Sequence, residues 1–129
     1  MKPTSLFLLS FTLFLSSCFP AGTKEEIDKS MTQGLQMFAD DEFKKAIGYI
    51  ELYKLRNGEY PSSLKDLQFL SLMDSSMLTH VRYNRLDTVY ELNMNYSFPG
   101  FGNSKSTVVK LKYPEEFWKG TGCVKSNTK

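Results

Sequence analysis

Residues 43–64 read FKKAIGYIELYKLRNGEYPSSL, and within them a helical pattern runs, stops and is turned back. Phe43, Ile47, Ile50 and Tyr53 are spaced by three or four, which places them on one face of a helix. Asn57-Gly58 supplies a left-handed stop, and Pro61 holds Tyr60 in extended geometry, so a helix from about Asp40 to Arg56 must end in a reversal. Ser63-Leu64-Lys65-Asp66 has the form of a capping box opening a short helix to about Leu70, and Asp74-Ser75-Ser76 reads as loop.

Upstream, Ile27, Met31, Leu35 and Phe38 keep the same spacing and predict a helical lead-in. Asp40-Asp41-Glu42 either caps a second helix or lies on the outer face of one long one. Downstream the period changes to two. Thr79, Val81 and Tyr83 alternate with His80, Arg82 and Asn84; Tyr90, Leu92, Met94 and Tyr96 alternate with Glu91, Asn93, Asn95 and Ser97; Val109, Leu111 and Tyr113 alternate with Lys110 and Lys112. One apolar and one polar face per strand predict a three- to four-stranded antiparallel sheet covered on one side. The fold class is therefore α+β, an N-terminal amphipathic helix packed on a sheet, with Arg85-Leu86-Asp87 as a hairpin turn and residues 99–103 as a longer loop.

The run from Ala46 to Leu64, with its tyrosine-lysine helix end, Asn57-Gly58 and Tyr60-Pro61, resembles the end of the long helix in type II secretion pseudopilins and related type IV pilins. That resemblance implies a pilin-like domain over residues 25–129 and, as one alternative function, a part in a type II secretion or type IV pilus-like machine. Two departures bear on it. Pilin subunits open with a glycine cleavage site and a long apolar helix bearing a glutamate at its fifth position, whereas Ser10-Phe11-Thr12-Leu13-Phe14 has phenylalanine there. The calcium-binding acidic loop that the major pseudopilins resemble one another in has no counterpart, since no Asp or Glu lies between Glu91 and Glu115.

The first residues carry a different message. Lys2 precedes an uncharged apolar run from Leu6 to Leu15, and Leu15-Ser16-Ser17-Cys18 closes it. The run is too short to span a bilayer, which takes roughly 20 apolar residues, so it reads as a removed signal rather than an anchor. Leu15-Ser16-Ser17-Cys18 resembles the lipobox of bacterial lipoproteins. The resemblance implies cleavage between Ser17 and Cys18, diacylglycerol and often an N-terminal acyl chain on Cys18, and residence in the cell envelope. Phe19 in place of an aspartate points to the outer membrane, facing the periplasm. The expected organisation is a signal peptide at 1–17, a lipidated tether at 18–24 and one domain at 25–129. An ordinary secretory signal with Cys18 left as a thiol is the alternative, giving a secreted soluble binding protein in which a Cys18–Cys123 bridge could form.

The leader holds one charge, so the mature chain stays near neutrality and no electrostatic case exists for nucleic acid as a partner. Aromatic residues at 14% are ample for a single core. His80, the one histidine, falls among polar strand residues with neither a cysteine nor a serine motif beside it. Gly100-Phe101-Gly102 lacks the lysine and following helix of a phosphate loop. Cys123 is read as part of a tail. No catalytic residue, cofactor or metal ligand is assigned, and binding or assembly is expected instead of catalysis, with a protein partner in the envelope; a small periplasmic enzyme would need titratable groups converging on His80. The candidate interaction surfaces are the polar sheet face, with His80, Arg82 and Asn84, and the aromatic set that includes Phe101 and Trp118.

Overall fold

A computed structural model describes residues 22–95, 97–98 and 107–129. The expected signal peptide, the Cys18 anchor, Tyr96 and the loop containing Phe101 lie outside the described residues. The chain divides into two compact units, Met1–Ser30 and Met31–Lys129.

One helix, α1, runs from Lys24 to Asn57 without a break. In the first unit Thr23 and Glu26 exchange hydrogen bonds reciprocally, Thr23 N–H to Glu26 Oε2 at 3.1 Å and Glu26 N–H to Thr23 Oγ1 at 3.4 Å, which closes two of the free donors at the helix start. Glu25 and Glu26 in the first turn and Lys54 and Arg56 in the last complement the helix dipole. The stop is as the sequence predicts. Gly58 takes φ 80°, its N–H reaches Lys54 O at 2.9 Å, and Asn57 Nδ2 donates to Tyr53 O at 2.9 Å.

The acidic triplet does not cap a second helix. Asp40 and Asp41 pair with Lys44 at 2.8 Å and Lys45 at 2.7 Å one turn on, an arrangement that supports a continuous helix, and Glu42 turns inward. Ala39, Phe43, Ala46, Ile47 and Ile50 form the buried stripe. After the reversal the Ser63 capping box is present, but it opens only a 3₁₀ turn, Leu64–Asp66; a second 3₁₀ turn, Asp74–Thr79, stands where the sequence reads as loop.

Strands β1 (Val81–Leu86) and β2 (Val89–Met94) form the expected antiparallel hairpin, with Val81 opposite Met94 and Leu86 opposite Val89 across a two-residue turn. Asp87 takes φ 62° there, a conformation such turns require. Val81, Tyr90, Leu92 and Met94 face the core and Arg82 and Asn84 face out, so the period-two reading gave the correct phase. Beyond β2 the expectation fails. Short strands β3 (Ser97–Phe98) and β4 (Thr107–Val108) make a separate two-stranded ladder, and residues 109–113 belong to neither sheet. Val109 and Leu111 are buried and Lys110 and Lys112 exposed, so the alternation is real; it reports which side faces the core and is silent about the neighbouring strand.

The third strand of the main sheet is β5 (Cys123–Lys125), reached through the one-turn helix α2 (Glu115–Trp118). It lies parallel to β2, with Tyr90 beside Cys123, giving the order β1-β2-β5. The sheet is therefore mixed rather than antiparallel, and the segment expected to be a tail is part of the fold. A parallel neighbour requires the chain to cross over before pairing, so β5 cannot follow β2 through a tight hairpin.

Candidate functional site

The densest meeting of polar groups is built on Glu51, a residue that the sequence reading passed over. It follows Phe43 and Ile47 in steps of four, so the stripe that buries those side chains carries its carboxylate in with them. Oε1 accepts from the Tyr90 phenol at 2.9 Å and from Gly122 N–H at 2.7 Å, and Oε2 accepts from the Tyr60 phenol at 3.1 Å. Helix α1, the reversed segment after it, strand β2 and the turn before β5 thus meet at one carboxylate. The Tyr60 and Tyr90 rings touch edge to face at 5.0 Å, and Gly122 lies so close to the Tyr60 ring that a Cβ there would overlap it. Burial, reinforced by the Glu51 charge, pushes the Tyr60 phenol up to about 12 and raises that of Tyr90 further. Both phenols are held as neutral donors.

A second carboxylate, Glu42, more deeply buried than the half-buried Glu51, falls on the row Glu42-Ala46-Ile50 and accepts from Ser76 Oγ at 2.9 Å. It fixes the second 3₁₀ turn to the helix. Asp40 accepts from Tyr113 OH at 2.7 Å as well as from Lys44; burial opposes its charge, but those two hydrogen bonds outweigh it and hold the carboxyl below its usual range. Beside this contact a cleft of about 420 Å³ opens between Gln36, Met37 and Asp40 of α1 and Leu111, Lys112 and Tyr113.

The residues singled out from sequence do not form one surface. His80 precedes β1, stacks on Phe98 at 5.1 Å, meets Phe38 edge to face at 5.6 Å and shares a hydrogen bond with Thr79 Oγ1 at 3.1 Å, so it belongs to a half-buried ring cluster and not to a solvated sheet face. Arg82 and Asn84 are exposed on β1. Trp118 is buried against Phe43, Tyr113 and Phe117, with Lys129 Nζ 4.9 Å over its ring and its Nε1 without a hydrogen-bond partner. The indole is a core ring. Cys123 is buried in β5 as a free thiol, raised by burial, with its Sγ 3.5 Å from Lys125 O. Among the described residues, no three His, Cys, Asp or Glu side chains are grouped to hold a metal ion, and no helix is long and apolar enough to cross a membrane.

What this arrangement can do chemically is clamp. Each carboxylate that enters the fold is met by protein donors, and the phenols beside Glu51 are locked in their neutral form. No protein-family model, curated protein or solved structure matches this chain.

Proposed function

We propose that this protein is a lipid-anchored bacterial envelope protein whose α+β domain binds or assembles and does not catalyse. The observation that carries the reading is Leu15-Ser16-Ser17-Cys18 at the end of the apolar run Leu6–Leu15. Diacylated Cys18, the first mature residue, anchors the chain; several acyl chains at about 0.8 kcal/mol per buried methylene hold a protein to a membrane nearly permanently. The outer membrane, facing the periplasm, is its expected place.

A pilin-like character of the domain is supported by a long helix that ends at Gly58 in a left-handed turn and by Tyr60 folding back onto that helix. This element order also favours a second reading, a pseudopilin-like component of a secretion or pilus-like machine. The parallel β5 departs from the antiparallel sheet that the family resemblance implies. A secreted soluble binding protein is the reading left if Cys18 is not acylated.

Intact mass and membrane fractionation test the anchor. The mature protein is expected to weigh residues 18–129 plus acyl chains, and Cys18→Ala is expected to move it to the soluble fraction. An unacylated mass, or a C18A protein that stays with membranes, overturns the anchor.

A further inference from the structure

Residues 109–113 alternate between buried and exposed as a strand does, yet belong to neither sheet, and their backbone is paired toward one side. Tyr113 N–H donates to Thr128 O at 2.9 Å. In an extended segment the N–H and C=O groups of successive residues point to opposite edges, so those of Lys110 and Lys112 face away from Thr128. Among the described residues neither lysine makes a hydrogen bond or an ion pair, through backbone or side chain. They form a short open strand edge, and such an edge is a template for another strand.

The edge borders the cleft of about 420 Å³ beside Asp40. Leu111, Lys112 and Tyr113 all line that cleft, although neighbouring side chains of an extended segment point to opposite faces; a cleft touching all three runs along the segment's edge. Thr128 is not among its walls, so the edge it follows is the unpaired one. Across from it stand Gln33, Gln36 and Met37 of α1. Met37 is 74% exposed, and neither glutamine amide has a hydrogen-bond partner among the described residues. The slot offers strand backbone on one wall, and two amides with an uncovered apolar side chain on the other.

The charges select what fits there. Asp40, the acid at the cleft, is answered by Lys44 at 2.8 Å and by the Tyr113 phenol at 2.7 Å, whereas Lys110 and Lys112, two positions apart and so on one face, are unanswered. A strand laid beside them makes favourable pairs if it carries carboxylates at alternate positions. A second copy of this segment would bring lysines against lysines, which is how exposed edges are guarded from pairing with themselves. The described strands of this chain hold one acid, Glu91, already 3.3 Å from Lys125. The fitting strand therefore comes from a different protein.

We propose that the open edge at Lys110 and Lys112 takes up an extended acidic segment of another protein, which joins it as an added strand in the cleft against α1. Glutamate or aspartate at every second position faces the two lysines, and the apolar residues between them cover Met37. This names a partner class for the binding role proposed above and rests on that part of the reading, independently of the lipid.

The test uses the mature chain carrying C18A, so that neither acylation nor a membrane enters, and a short fluorescent peptide of alternating glutamate and valine. Fluorescence anisotropy is expected to show saturable binding that weakens by about tenfold or more in K110E/K112E. A peptide of alternating lysine and valine should bind that variant and not the native protein. Hydrogen exchange followed by NMR reads the backbone: the Lys110 and Lys112 amides should exchange freely without peptide and about tenfold or more slowly with it. Circular dichroism checks that replacing these exposed lysines leaves the fold in place. No binding, binding indifferent to K110E/K112E, or binding that leaves both amides unprotected overturns the proposal. So does equal affinity for inorganic polyphosphate, which would mean attraction of anions in general. Amides already protected in the free protein overturn it as well, because the chain then closes its own edge. An unacylated mature mass would overturn the anchor and leave the peptide result standing, and failure of the peptide would leave the anchor standing.

Discussion

Glu51 accepts hydrogen bonds from Tyr60, Tyr90 and Gly122, and its removal would strand all three donors at once. Glu51→Ala should therefore cost about 3 kcal/mol or more, because a buried donor left without its acceptor loses its desolvation free energy as well as the bond. Gly122→Ala attacks the same point sterically, placing a methyl group inside the Tyr60 ring, and overpacking of this kind costs about 1–3 kcal/mol. Both appear as lowered denaturant midpoints, and an unchanged midpoint for G122A would show that Tyr60 does not hold its position in solution. The phenols add a pH dependence. Tyr60 and Tyr83, the latter raised mainly by burial, lose their protons near 12 in the folded state against an ordinary 10. Below pH 10 both states carry neutral phenols and stability is complete; between 10 and about 12 the unfolded chain alone is ionised, so stability falls as pH rises. Thermal unfolding followed from pH 8 upward should show a steep loss above 10, absent from Tyr60→Phe to the extent that this phenol causes it.

Helix α1 separates what a pattern can say from what it cannot. Its phase, its stop at Gly58 and its start at Thr23-Lys24-Glu25-Glu26 are all written locally. Coverage was not legible. Ile27 and Phe38 keep the helical spacing yet are exposed, because spacing fixes the side on which a residue lies and another element must supply what covers it. The same distinction explains residues 109–113, whose alternation is correct while the ladder beside β2 goes to β5, three residues with no alternation to read. Glu51 and Glu42 sit on apolar rows that the sequence displays, but their donors come from segments 9 to 71 positions away, so the site could be seen only once the chain was folded. Gly34 and Gly48 give the element its own test. Neither has an atom within 4 Å of an added Cβ, and glycine inside a helix costs roughly 0.5–1 kcal/mol relative to alanine. G48A should stabilise the isolated protein by about that amount, read as a rise in melting temperature; destabilisation would mean that this open face is occupied in solution.

At the scale of the whole molecule the last residues close the fold. Cys123 sits beside Tyr90 in the parallel ladder, Tyr90 N–H donates to Gly122 O at 3.0 Å, and Tyr113 N–H donates to Thr128 O at 2.9 Å. Asn127 copies the pairing of a strand with its side chain, accepting from Met94 N–H and donating to Met94 O, each at 2.9 Å. The chain end is thereby joined to the central strand, which already holds the hairpin and, through Glu51, the helix. Opening this end exposes Tyr90 and Leu92, both fully buried, so a local opening that stopped there would leave the centre of the core in water. The Cys123 thiol, buried and raised in that ladder, should then react with an alkylating reagent only when the whole domain opens. Its labelling rate in a C18A background is expected to follow global unfolding, rising in parallel with denaturant and accelerated by Glu51→Ala in proportion to the stability lost. Labelling that is fast in the native protein and indifferent to Glu51→Ala would show that β5 detaches on its own, and that the hairpin and helix hold without it.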